Sequence, residues 1–77
     1  METIEKRKGC EWASIELSNE EPTSFEYMSD ENDDESYVEG SLIIDNGTLI
    51  DYDGVYELPR LVKDLITEQG FSLGDCE

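Results

Sequence analysis

The chain has 77 residues, of which 21 are acidic, 5 basic and none histidine, for a net charge of −16 at neutral pH. That length holds one domain with a thin core, and the charge repels nucleic acid and anionic lipid while attracting basic surfaces. Ordinary solubility in a small domain needs a net charge of only about 2–8, so the excess calls for a physical reason. Apolar residues make up 36%, with four Tyr, two Phe and one Trp. This is enough for one sheet face packed on one helix, and more than a disordered chain carries.

The opening segment, residues 1–8, is charged and lacks the apolar stretch of a signal peptide. With Lys6, Arg7 and Lys8 together it reads as a loose basic arm. Cys10 to Leu17 reads as a strand, because Ala13, Ile15 and Leu17 share one face by the period of two and Trp12, Ser14 and Glu16 share the other. Asn19 to Pro22 is a polar turn. Thr23 to Met28 is a second strand, with Phe25 and Tyr27 on one face and Glu26 on the other. The run Ser29 to Ser36 is acidic and without apolar residues, so it reads as a solvated loop. Tyr37 to Ile44 is a third strand with Val38, Leu42 and Ile44 on one face, and Gly40 marks a bulge or a close approach. Asp45-Asn46-Gly47 predicts a tight hairpin turn, since both central residues must take positive φ. Thr48 to Tyr52 returns as a fourth strand, ended by Asp53-Gly54.

Residues 59–69 read as a helix. Leu58, Leu61, Val62, Leu65 and Ile66 form one apolar stripe, Pro59 suits the first turn and Gly70 the position past the end. Phe71 and Leu73 fold back onto the sheet, and residues 74–77 form a loose tail. The expected fold is one α+β domain: an acidic β region over 9–58 that forms an antiparallel sheet of three to four strands, with one C-terminal helix on one face. The other face is then free and carries acids and a few aromatics.

The chemistry excludes more than it offers. The EF-hand pattern wants Gly at the sixth position and Glu at the twelfth. Counting from Asp30 these are Glu35 and Ser41, from Asp45 they are Ile50 and Tyr56, and from Asp51 they are Tyr56 and Val62. No register fits, and without a CxxC or Cys/His cluster no metal is expected. Cys10 and Cys76 are expected as reduced thiols of a cytoplasmic protein, the alternative being a disulfide that joins the two ends of the chain. Carboxylate pairs arise by chance among 21 acids, a site for them needs a concave, partly apolar pocket, and no nucleophile stands beside a recognisable base. Neither an enzyme nor a cofactor is expected. No apolar run approaches the length that spans a membrane.

What remains is the distribution of charge. Between Gly9 and Pro59 there are fifteen acids and no Lys or Arg, whereas the helix mixes Arg60 and Lys63 with Asp64 and Glu68. A solvation adaptation spread over the whole surface would acidify the helix too. Carboxylates two residues apart on a strand lie about 6.6–6.8 Å from each other, from the rise per residue, and DNA carries one phosphate per about 3.4 Å of axis on each strand. Rows of carboxylates can therefore imitate what nucleic-acid sites read without regard to sequence.

In size, in the basic-free span from Gly9 to Pro59 and in its sheet-plus-helix plan, the chain resembles the small acidic phage-encoded counter-defence proteins: anti-CRISPR proteins, anti-restriction DNA mimics and uracil-DNA glycosylase inhibitors. The resemblance is to a class and assigns no role to any single residue. It implies a stoichiometric inhibitor, in the cytoplasm of a host bacterium, that occludes the nucleic-acid-binding surface of a nuclease, a CRISPR effector or a repair enzyme. The expected partner is thus a basic nucleic-acid-binding protein, with no direct contact to nucleic acid or membrane, and the chain itself is a monomer or homodimer. The candidate partner-binding residues are Glu26, Tyr27, Asp30, Glu31, Asp33, Asp34, Glu35, Tyr37 and Glu39, with Asp45, Asp51 and Asp53 as a second patch at the hairpin. Two other readings fit the same charge: an immunity or antitoxin protein that neutralises a basic nuclease toxin, and an acidic regulatory module that dimerises through its sheet.

Overall fold

The computed structural model describes residues 2–74. The chain folds as one antiparallel meander, β1 (Glu2–Lys8), β2 (Glu11–Ser18), β3 (Glu21–Met28), β4 (Tyr37–Asp45) and β5 (Thr48–Tyr52), followed by one helix, α1 (Arg60–Glu68). The strands lie in sequence order across a five-stranded sheet. The architecture is α+β as expected, with one strand more than the expected three to four.

The extra strand is the segment read as a loose basic arm. From Glu2 opposite Leu17 to Lys8 opposite Glu11, every residue of β1 pairs with β2. Gly9, at φ 62°, supplies the positive φ that the two-residue turn needs. The expected tail at 74–77, Cys76 included, lies outside the described residues except for Gly74. The remaining strands and the helix differ from expectation by one or two residues at their ends, with Pro59 and Gln69 as the helix caps. The exception is Pro22, expected in a turn. It lies inside β3 and is buried, opposite Leu17 where the β2–β3 register shifts. That irregularity is where a residue without an N–H can sit in a ladder.

The tight turns have different chemistry. Asn46 (φ 56°) and Gly47 (φ 80°) form the expected hairpin turn. At the β2–β3 turn the same pair of conformations falls on Asn19 (φ 55°) and Glu20 (φ 68°). Glu20 has no glycine-like freedom there and is strained.

The core lies between the sheet and the helix. Ala13, Ile15 and Leu17 of β2, Phe25 of β3, Leu42 of β4 and Leu49 of β5 pack against Leu58, Leu61, Val62, Leu65 and Ile66. Each fully buried aliphatic contributes about 1.5–3 kcal/mol, so four such residues on α1 hold the helix on β1–β3. The helix ends in a Schellman motif: the Gly70 N–H donates to the Thr67 carbonyl (3.0 Å) and the Phe71 N–H to the Ile66 carbonyl (3.3 Å). Phe71 and Leu73 then pack against the core. The close approach marked by Gly40 is between β4 and the segment after β5: a Cβ there would collide with the Asp53 carbonyl oxygen and come within 2.8 Å of Phe25 Cε1.

Candidate partner-binding face

Alternation along the strands sends every second residue to the face that α1 does not cover, and the pairing registers align these residues into lines that cross the sheet. One line is Glu5, Ser14, Glu26 and Glu39, each directly opposite the next on β1 to β4. On one side of it runs Arg7, Trp12, Met28 and Tyr37, and on the other Thr3, Glu16, Ser24 and Ser41. Beyond these, Ile43 faces Asp51 on β5. With Glu21 opposite Ser18 of β2 and Asp45 following Ile43 on β4, the uncovered face therefore carries seven carboxylates, Glu5, Glu16, Glu21, Glu26, Glu39, Asp45 and Asp51. Its one cation among the described residues, Arg7, is held by Glu31 (Nε to Oε2, 3.0 Å).

Hydrogen bonds fix the side chains of this face. Trp12 Nε1 donates to Glu5 Oε1 (2.9 Å) and Ser14 Oγ to Glu26 Oε2 (3.3 Å). The Tyr37 hydroxyl lies 2.7 Å from Glu39 Oε2 and 3.0 Å from Glu26 Oε1. It has one proton for two acceptors, so at any moment one of the two is left to solvent or to an incoming donor. The hydrogen bond to Glu39, then burial, then the bond to Glu26 hold this phenol protonated well above its ordinary range. Glu26 and Glu39 are direct cross-strand neighbours of like charge, an arrangement that destabilises a sheet.

The structure brings Glu26, Tyr37 and Glu39 together and sets Asp51 at the β5 margin of the same face. Tyr27 is not with them. It pairs with Ala13, packs against the core on the helix side and donates its hydroxyl proton to Glu11 (2.7 Å). Burial first, and the Glu11 carboxylate second, push this phenol up to about 12.

The acidic loop borders the end of the face at the Trp12–Tyr37 line. It is exposed, as expected, but ordered by its own side chains. Asp30 Oδ1 accepts from the Asn32 N–H (3.0 Å), and Asp33 Oδ1 from the Glu35 N–H (3.0 Å), which caps a 3₁₀ turn over Asp34–Ser36. The Glu31 N–H donates to the Cys10 carbonyl (2.8 Å), and the Glu31 side chain takes Arg7, so the loop is tied to the β1–β2 hairpin. Asp33 is thus occupied with the backbone, while Asp34 and Glu35 point their charge to solvent. Asp45 sits at the β4–β5 turn and Asp53 accepts from the Gly54 N–H (2.8 Å), both exposed.

The candidate residues read from the sequence did not include Glu5, Trp12, Glu16, Glu21 or Met28 of this face. Glu16 and Trp12 were legible from the alternation of β2, which set both opposite the core residues. Glu5 was not, because β1 itself was missed. Among the described residues no three His, Cys, Asp or Glu side chains are grouped so as to hold a metal ion. No helix there is long and apolar enough to cross a membrane. The chain matches no protein-family model, no curated protein and no solved structure.

Proposed function

We propose that this protein is a stoichiometric inhibitor that imitates the phosphate backbone and occludes the nucleic-acid-binding surface of a nuclease, a CRISPR surveillance complex or another DNA-processing enzyme in the cytoplasm of a host bacterium. The observation that carries this reading is the alignment of Glu5, Glu26 and Glu39 in one line across the face that the helix leaves open.

Strand neighbours lie about 4.7–4.9 Å apart, so that line is about 14 Å long from β1 to β4. One strand of duplex DNA sets about four phosphates along the same distance. Glu16 and Asp51 flank the line, and Asp34 and Glu35 extend the charge beyond the sheet. A basic cleft meeting this face gains the terms it gains from DNA: release of its counterions and long-range steering of the encounter. A second copy of the chain is a poor occupant, because seven carboxylates would face seven.

The test is a pull-down from bacterial lysate with the tagged chain, eluted in parallel with DNA and with rising salt. A nuclease or nucleic-acid-binding complex that resists moderate salt and is released by DNA supports the reading. A broad set of basic proteins, lost together at modest salt and indifferent to DNA, overturns it.

A further inference from the structure

The lines across the open face differ in chemistry, and the difference bears on what the partner presents. A surface serving negative charge alone would carry carboxylates on every line. Here the acidic line has as its neighbour, about 7 Å away along the strands, the line Arg7, Trp12, Met28 and Tyr37. Trp12 and Met28 are half-buried and Tyr37 is 39% exposed. The indole N–H and the phenol hydroxyl are each bonded to a carboxylate of the acidic line, which fixes both rings beside those carboxylates before any partner arrives.

Such a pairing discriminates between the two basic side chains. A lysine ammonium is a compact, strongly hydrated point charge. A guanidinium is planar and weakly hydrated, stacks on aromatic faces and keeps its N–H groups free at the rim for carboxylates. The chain already holds one arginine in this setting: Arg7 ends the aromatic line directly opposite Trp12, with its Nε on Glu31.

We propose that this face recognises arginine rather than positive charge in general, taking guanidinium groups of a basic partner protein onto the Trp12–Met28–Tyr37 line while their N–H donors reach Glu5, Glu26 and Glu39. The inference rests on the reading of this face as the partner-binding surface. It commits to an arginine-bearing protein segment as the occupant, on charge complementarity with the seven carboxylates and on the rings set among them.

Oligo-arginine and oligo-lysine peptides of equal length serve as probes, titrated calorimetrically into the full chain at about 0.15 M salt, where the Debye length is about 8 Å. The arginine peptide is expected to bind about tenfold more tightly, the contribution of the two ring contacts. In a Trp12→Leu/Tyr37→Leu variant, shown folded by its thermal melt, that preference falls to about twofold, the residue of bidentate pairing with carboxylates. Should the double variant not fold, Tyr37→Leu alone, at an exposed position, is expected to lose about half of the preference on a logarithmic scale. Equal affinities in the wild type, or a preference that survives loss of the rings, overturn the inference. If the affinities are equal and both fall in Glu26→Gln/Glu39→Gln, the phosphate-mimic reading survives without it. If those substitutions leave both peptides unaffected, both readings fall.

Discussion

Replacement of Glu39 by Gln is expected to stabilise the protein, which is unusual for a change in the middle of a sheet. Glu39 stands directly opposite Glu26, at a Cβ separation of about 4.5–5.5 Å for such pairs. Two unit charges at about 5 Å in water repel by about 0.8 kcal/mol, and like charges at this position cost about 0.2–1 kcal/mol in practice. The glutamine keeps an oxygen for the Tyr37 hydroxyl, which bonds Glu39 at 2.7 Å, so the hydrogen bond survives and only the charge is lost. A gain of about 0.5 kcal/mol raises Tm by about 2–4 °C in a domain of this size. The Debye length falls from about 30 Å at 0.01 M salt to about 3 Å at 1 M, so the gain should shrink to nearly nothing in high salt. Thermal unfolding followed by circular dichroism at the two salt concentrations measures both effects. A variant less stable than the wild type at low salt, or equally stabilised at both, would refute the claim that the carboxylates of this face repel one another.

Two further predictions concern parts of the fold outside that face. Glu20→Gly relieves a side chain held at φ 68°; the left-handed conformation costs a non-glycine residue about 1–2 kcal/mol, partly offset by the glycine's greater freedom in the unfolded chain, so Tm should rise by a few degrees, and an unchanged or lowered Tm contradicts the turn assignment. Tyr27, pushed up to about 12 in the fold against about 10 in the unfolded chain, holds its proton more tightly when folded, so its contribution is complete below pH 10 and is lost as pH rises from about 10 to about 12. Denaturant midpoints across that range should fall less steeply in Tyr27→Phe than in the wild type, and parallel curves would mean that the Tyr27 hydroxyl is neither shielded from water nor bonded to Glu11.

Much of this fold was written locally, and what was not has identifiable causes. Asn46-Gly47, the stripe from Leu58 to Ile66 and the alternation of Ala13, Ile15 and Leu17 each declare their element without help from the rest of the chain. Strand β1 does not, because Ile4 is its one apolar residue with a partner in the core. Its helix-side positions are Glu2, Ile4, Lys6 and Lys8, and Lys6 lies half-buried across to Glu68 on the helix. An edge strand can be this polar because half its backbone groups face solvent, and its lysines keep other strands from adding to it. The misplacement of Tyr27 had a cause already visible in the sequence: alternation put Phe25 and Tyr27 on one side of β3 and Glu26 on the other, so Tyr27 and Glu26 could not share a face. The order of the acidic loop was legible too, since Asp30 and Asp33 each precede by two residues the N–H they accept, the habit of Asp in turns. The lines across the open face were beyond reach, because they depend on strand register, and register depends on turns and on a strand that composition did not reveal.

For a phosphate mimic the position of the carboxylates matters and not their sum. This is tested most directly by comparing two fourfold Glu→Gln variants in the DNA-eluted pull-down. One neutralises Glu5, Glu16, Glu26 and Glu39 on the open face; the other neutralises Glu2, Glu20, Glu57 and Glu68, which are exposed elsewhere. Both carry the same net charge. The first variant is expected to lose its DNA-displaceable partner and the second to keep it. Equal loss in the two would mean that the chain acts through its overall charge, and the open face would have no special standing.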